Sequence, residues 1–192
     1  MTTLFVSDLH LSDRRPEKIA LFMRLMTGPA IKADAFYILG DLFENFWIGC
    51  DDEHPPNQEV ISILRDYSAN SSTKLFIMRG NRDFHLNQEF ANATSCTLIE
   101  DPTEIILDDQ KVLLLHGDTL CIDDVKYQKW RIFITNPIVK WIYSVMSLKL
   151  RTRISRKVRG YSAEAVQKKA PEIIDVTKTA VLDTLKKFNV KT

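Results

Sequence analysis

Leu4-Phe5-Val6-Ser7-Asp8-Leu9-His10-Leu11 is an apolar run that ends on two metal-binding residue types. The run is short enough for a buried strand, and Asp8 and His10 fall in the loop just past its C-terminal end. The same design returns in Phe36-Tyr37-Ile38-Leu39-Gly40-Asp41, in Leu75-Phe76-Ile77-Met78-Arg79-Gly80-Asn81-Arg82-Asp83, and in Val112-Leu113-Leu114-Leu115-His116-Gly117-Asp118. Recurrence every few dozen residues is what successive βα units produce. The pattern predicts an α/β chain whose polar clusters share the C-terminal edge of the sheet, where such sheets gather ligands. Asp8, His10, Asp41, Asn81 and His116 meeting there would form a mixed nitrogen and oxygen site suited to hard or borderline divalent metals. Taken singly, Gly40-Asp41 and Gly80-Asn81 are ordinary turn chemistry and Asp8-x-His10 an ordinary loop. The ordered combination carries the metal reading.

Working outward, Ser12-Asp13 is placed to cap a helix with Pro16 in its first turn, and Ile19, Phe22, Met23 and Met26 form its stripe. Gly28-Pro29 stops it. Further helices are expected at about 58–67 and 86–93. Residues 103–107 and 111–115 read as a hairpin around Asp108-Asp109. From 162 to 188 the chain reads as helical, with Pro171 as a boundary.

The chain has 192 residues, 45% hydrophobic and 27% charged, which fits a single domain with a real core. A net charge of +1 excludes any argument about partners from overall charge. Cys50, Cys96 and Cys121 have neither zinc-site spacing nor a disulfide framework, and burial in a reducing compartment is the expectation. The N-terminus runs straight into a strand, with no basic-then-apolar leader. No apolar run reaches bilayer-spanning length.

The segment at about 125–165 stands apart. No acid occurs from Val125 through Ala163, whereas Lys126, Lys129, Arg131, Lys140, Lys149, Arg151, Arg153, Arg156, Lys157 and Arg159 do. Ile138, Trp141, Ile142, Val145 and Met146 match one helical face. A helix basic on one side and apolar on the other can lie on an anionic membrane or cover an apolar ligand that carries phosphate. The plain alternative is a core helix with a solvated basic face. Nucleic acid is not expected as a partner, because no recognised motif accompanies the charge. No protein partner can be inferred.

The ordered motifs resemble the calcineurin-like metallophosphoesterases. The flanking words Tyr37-Ile38-Leu39-Gly40-Asp41-Leu42-Phe43-Glu44, Gly80-Asn81-Arg82-Asp83-Phe84 and His116-Gly117-Asp118-Thr119-Leu120-Cys121 are similar to those of the family of UDP-2,3-diacylglucosamine hydrolases. That resemblance implies a sheet sandwich flanked by helices, with a helical cap inserted at about 125–165. It implies two Mn2+ ions: Asp8 and His10 on one, Asp41 bridging, Asn81 and His116 on the second. It makes Asn81 and Arg82 the catalytic phosphate contacts. Asp124, Ser162 and Lys169 match further substrate contacts, and Val166 stands where the family has Asn. The family also has a Gly-His-x-His segment on a later strand. Residues through Thr192 end before it, so the closing strands and those ligands are expected to be absent, and the second metal weakened. His54 is expected to face solvent, while His85 is a candidate for reaching the cleft.

Arg82 bears on the reaction type. Phosphomonoesterases of this superfamily carry a His there, able to protonate a departing alkoxide. A pyrophosphate linkage loses a phosphate, already a weak base, so a forked guanidinium for phosphate oxygens is the better tool. The implied activity is hydrolysis of UDP-2,3-diacylglucosamine to UMP and 2,3-diacylglucosamine 1-phosphate in lipid A biosynthesis, on the cytoplasmic face of the inner membrane. The alternatives are a nucleotide pyrophosphatase on the same scaffold and an inactive membrane-bound remnant.

Overall fold

The first three apolar runs form parallel strands β1 (Thr3–Val6), β2 (Ala35–Leu39) and β3 (Lys74–Met78) in the computed structural model, which describes residues 2–167 and 169–190. A fourth, β4 (Thr97–Ile99), completes a parallel sheet in the order β1-β2-β3-β4. Each crossover carries a helix: α1 (Pro16–Thr27), α2 (Pro55–Asn70) and α3 (Gln88–Thr94). A sequential strand order with right-handed crossovers puts all the helices on one face. Leu4, Phe36, Ile38, Leu75 and Ile77 alternate toward that face and pack with Phe22, Met26, Leu64 and Phe90.

The alternate residues Phe5, Tyr37 and Phe76 are in register across three strands and stack, with ring centroids 5.1 and 4.6 Å apart. They line the second face. There Ile105, Val112 and Leu114 pack from an antiparallel hairpin, β5 (Thr103–Leu107) and β6 (Gln110–Leu114). Asp108 and Asp109 have φ of 47° and 62°, the pair of left-handed residues that a two-residue hairpin turn needs. The fourth apolar run is therefore not a further βα unit. It is the return strand of the hairpin and belongs to a second layer, so His116 reaches the sheet edge from the opposite face.

Two other expectations change. Arg15, not Ser12 or Asp13, is the N-cap of α1, and no side chain caps it. The cysteines are free and only partly buried.

The cap region is three helices, α4 (Val125–Thr135), α5 (Pro137–Val145) and α6 (Leu148–Gln167). Asp124 and Asn136 cap the first two through their side chains. Ile134 packs with Phe46 and Phe84, which lie in the loops after β2 and β3, and Trp130, Val139 and Val158 surround them. The stripe on α5 stays outside: Ile138, Trp141 and Val145 are each more than 60% exposed. The basic face is not uniformly solvated. Arg151 is buried and paired with Asp51, and Arg159 is paired with Glu44. Two short helices, α7 (Pro171–Ile174) and α8 (Lys178–Lys187), follow, and Thr177 donates its backbone N–H to the Leu120 carbonyl. No helix among the described residues is long and apolar enough to cross a membrane.

Candidate metal centre

The loops after β1 and β2 are joined by their backbones. Asp8, His10 and Leu11 donate N–H bonds of 3.2, 2.9 and 2.9 Å to the carbonyls of Gly40, Asp41 and Leu42. Asp8, His10 and Asp41 have φ of 52°, 48° and 53°. Left-handed backbone at three non-glycine residues is unusual, and such strain concentrates at functional sites. It turns the three side chains onto one point, where a ligand atom from each lies within 4.8 Å of the others.

Asp41 is the pivot. Its Oδ2 lies 3.5 Å from His10 Nε2 and its Oδ1 lies 3.7 Å from His116 Nε2. The two oxygens thus face two imidazoles on opposite sides. His116 is held through Nδ1, 3.0 Å from the Leu39 carbonyl, and Asn81 Nδ2 lies 3.3 Å from His116 Nε2. Turning the Asn81 amide by half a rotation presents Oδ1 to the same place. All five predicted ligand residues are therefore gathered at one edge of the sheet.

Close packing fixes the pieces. A Cβ on Gly80 would stand 2.3 Å from Asp41 Oδ1, and one on Gly40 would stand 2.5 Å from His116 Nδ1. Only glycine allows either approach. Asp83 is fully buried and accepts N–H bonds from Leu42 at 2.8 Å and Gly80 at 2.5 Å. It thereby ties the Asp41 loop to the Asn81 loop.

The electrostatics fit a divalent cation. Burial, then the neighbouring Asp83, pushes the Asp41 carboxyl up to about 7. A buried carboxylate with raised proton affinity sits where positive charge is short, and a metal ion answers that shortage. Burial, partly offset by Glu44, holds the His10 imidazole below its usual value, which keeps a lone pair available at neutral pH. Burial also opposes charge on His116, but Asp41 and Asp118 outweigh it and raise that imidazole. Asp8, His10 and Asp41 could hold one ion, and Asp41, Asn81 and His116 a second.

A cavity of about 520 Å³ opens beside this cluster, and Asn81, Arg82, Asp124, Ser162 and Lys169 all line it. Phe46, Trp130, Val158 and Ala165 give it an apolar wall. Arg82 holds its backbone N–H on Asp41 Oδ1 at 2.9 Å and reaches Ser162 Oγ at 3.4 Å. Its buried Nε has no hydrogen-bond partner among the described residues. Asp124 is paired with Lys169 while also capping α4, so these two neutralise each other across the cavity wall. The side chain of Val166 lies outside the described residues.

Several neighbours carry no local signal in the sequence. Glu44 Oε2 stands 3.4 Å from His10 Nδ1 and also pairs with Arg159 of α6. Arg131 of α4 spans Asp118 at 2.9 Å and Asp101 at 2.8 Å, and Asp118 also accepts from the Tyr127 hydroxyl. His85 does not reach this cleft; it stacks on Tyr143 in a second cavity. His54 pairs with Asp13 at the surface, 3.5 Å away.

Residues 1–148 match the family model described as calcineurin-like phosphoesterase. A UDP-2,3-diacylglucosamine hydrolase of Aliivibrio fischeri is 44% identical over 94% of this chain and 74% of its own length. Proteins of the same name from Pseudomonas putida and Edwardsiella ictaluri are each 42% identical, over 98% and 100% of this chain and 78% and 73% of their own lengths. With a metal-fitting cluster at the ends of its strands and relatives matched along its length, this chain belongs to the calcineurin-like phosphoesterases, in the family of the UDP-2,3-diacylglucosamine hydrolases.

Proposed function

We propose that this chain hydrolyses the pyrophosphate bond of UDP-2,3-diacylglucosamine, giving UMP and 2,3-diacylglucosamine 1-phosphate, with two Mn2+ ions. The observation that carries the reading is the position of Asn81, which belongs both to the ligand cluster and to a cavity that combines Arg82 with an apolar wall. A substrate with a phosphate chain and acyl groups needs both surfaces in contact. The divided reach of Asp41 supports two ions, and the oxygen and nitrogen donor set suits manganese.

Bound divalent ions supply Lewis acidity and lower the pKa of water. The chain does the rest. Asp41 would offer one carboxylate oxygen toward each imidazole, and Asp83 ties its loop to the Asn81 loop. Arg82, whose Nε has no hydrogen-bond partner among the described residues, grips oxygens of the reacting phosphate. Water adds across the anhydride, one P–O bond breaks, and the departing group leaves as a phosphate that needs no proton in the transition state. No general acid is therefore required where Arg82 stands. Phe46, Trp130 and Val158 receive apolar substituents.

The exposed stripe of α5, together with the exposed Lys149 and Arg153 of α6, supports peripheral docking on an anionic membrane, the cytoplasmic face of the inner membrane in this reading. Blue-shifted fluorescence in a form whose only tryptophan is Trp141, on adding anionic vesicles, checks the docking. An unshifted spectrum speaks against it. For the reaction, UMP release and metal content would be measured together in wild type and Asp41→Asn. Loss of both is expected; release that survives chelation and the substitution would refute the reading.

A further inference from the structure

The second cavity has about the same volume, 520 Å³, and lies between α5 and the β3–α3 loop. Its charges are unevenly matched. Arg151 is satisfied by Asp51 and by the Met146 carbonyl at 3.1 Å. Glu89, also on the wall, is exposed. The ammonium of half-buried Lys140 has no hydrogen bond or ion pair among the described residues. The acid whose field reaches it, Glu100, has an 84% exposed side chain already 3.2 Å from Arg79. Arg79 lines the same wall, held in place by its Nε on the Leu86 carbonyl at 2.7 Å. Its second terminal nitrogen has no hydrogen-bond partner among the described residues. Two cations thus share a cavity whose acids are spent elsewhere or exposed. His85, stacked at 4.0 Å on Tyr143, forms part of the same wall.

We infer that this cavity is a second anion site, separate from the one beside Arg82, in which Lys140 and Arg79 hold a phosphate group. Two cations in one half-buried wall have a single exposed acid, Glu100, to answer them, and burial, then Arg79, lowers the Lys140 ammonium. A phosphate restores the balance and accepts from both donors through separate oxygens. The acid that acts on Lys140 is Glu100, which is exposed and already bonded to Arg79, while Asp51 is taken by Arg151. The phosphate has two possible sources. Lys140 is on α5, next to the exposed Trp141 and Ile142, where a lipid headgroup would arrive with its chains outside. A soluble phosphate compound could enter by the same mouth.

Inorganic phosphate titrated into the full, magnesium-loaded chain is the direct probe, followed through the His85 ring protons by NMR. A saturable shift is expected. Losing one charge-assisted donor in Lys140→Gln weakens it by about tenfold or more, whereas Arg82→Ala leaves it unchanged. A His85 signal that ignores phosphate, or responds equally in Lys140→Gln, overturns the site. A shift lost in Arg82→Ala but kept in Lys140→Gln does the same, by assigning it to the catalytic cavity. The Lys140 ammonium has no partner to lose among the described residues, and thermal unfolding verifies that the variant folds. Phosphatidylcholine vesicles with and without phosphatidylglycerol then separate the sources. A generic surface lysine contributes about fivefold to anionic vesicle binding, the loss expected for Lys149→Gln. A larger loss for Lys140→Gln makes the ligand a lipid headgroup; an equal loss makes it a soluble phosphate.

Discussion

Arg82 separates two tasks that its neighbours combine. Its backbone N–H steadies Asp41, while its guanidinium reaches into the cavity. Arg82→Ala keeps the first and deletes the second, so turnover should fall by about 10²–10³, as when a group that stabilises transition-state charge is lost. Metal content should stay near wild type. A UMP-release assay beside metal analysis checks this, and loss of metal in proportion to rate would sink the assignment. His85 supports a second residue-scale prediction. Burial, then Lys140, lowers its imidazole from 6.5 to about 4. The unfolded chain takes up this proton below about 6.5 and the folded chain only near 4, so its contribution is complete above 6.5 and is lost as pH falls through that window. His85→Phe retains a ring against Tyr143 and removes the titration. The stability difference between neutral pH and pH 4 should shrink on the order of 2–3 kcal/mol. Denaturant curves at the two pH values decide it, and parallel pH slopes for the two proteins would exclude His85.

At the scale of elements, β1, β2 and β3 were legible because each holds a short unbroken apolar run, as strands of a parallel sheet do. β6 shows the same local run, and what marked it in the sequence as a hairpin strand was the Asp108-Asp109 turn joining it to residues 103–107. β4, three residues long, is too short for a periodic signal. The candidate ligands were legible because each follows a strand directly. The links that tie the cap to the body were not. Arg131, Arg151 and Arg159 find their acids 30, 100 and 115 residues away, so in the sequence they look like solvated charge. Arg131 gives the test of such a latch. It joins α4 to Asp101 and Asp118, whose side chains are only 7% and 8% exposed. Arg131→Ala leaves two buried carboxylates short of their cation. The expected cost is about 2–4 kcal/mol in urea unfolding at neutral pH, easing in acid because burial, then Asp118, already favours the protonated Asp101 carboxyl. A change below about 0.5 kcal/mol would make the bridge a surface-type pair.

For the whole molecule, the two layers meet at the metal centre. Helices pack on one face of the parallel sheet and the hairpin on the other, with His116 delivered from the hairpin side and Asp8, His10, Asp41 and Asn81 from the sheet. A cation held by both sets would join layers that already share apolar contacts and the His116 bonds to Leu39 and Asn81. Unfolding separates the ligands, since they are spread from residue 8 to residue 116 and no local segment holds more than Asp8 and His10. Metal should therefore bind the folded chain far better than the unfolded one, and binding becomes stability by mass action. At a free manganese concentration a hundredfold above its dissociation constant, the gain is about 2.7 kcal/mol. For a chain of this size that is a rise in Tm of roughly 5–10 °C. Chelation should reverse it. Asp41→Asn loses the carboxylate charge that faces both imidazoles and should show little manganese-dependent shift. Its metal-free Tm should match or exceed wild type at neutral pH, because a buried charge has been removed. Calorimetry with manganese and with chelator, on both proteins, makes the comparison. Equal manganese shifts would mean that Asp41 is not the ligand joining the two layers, whatever its place at the centre of the cluster.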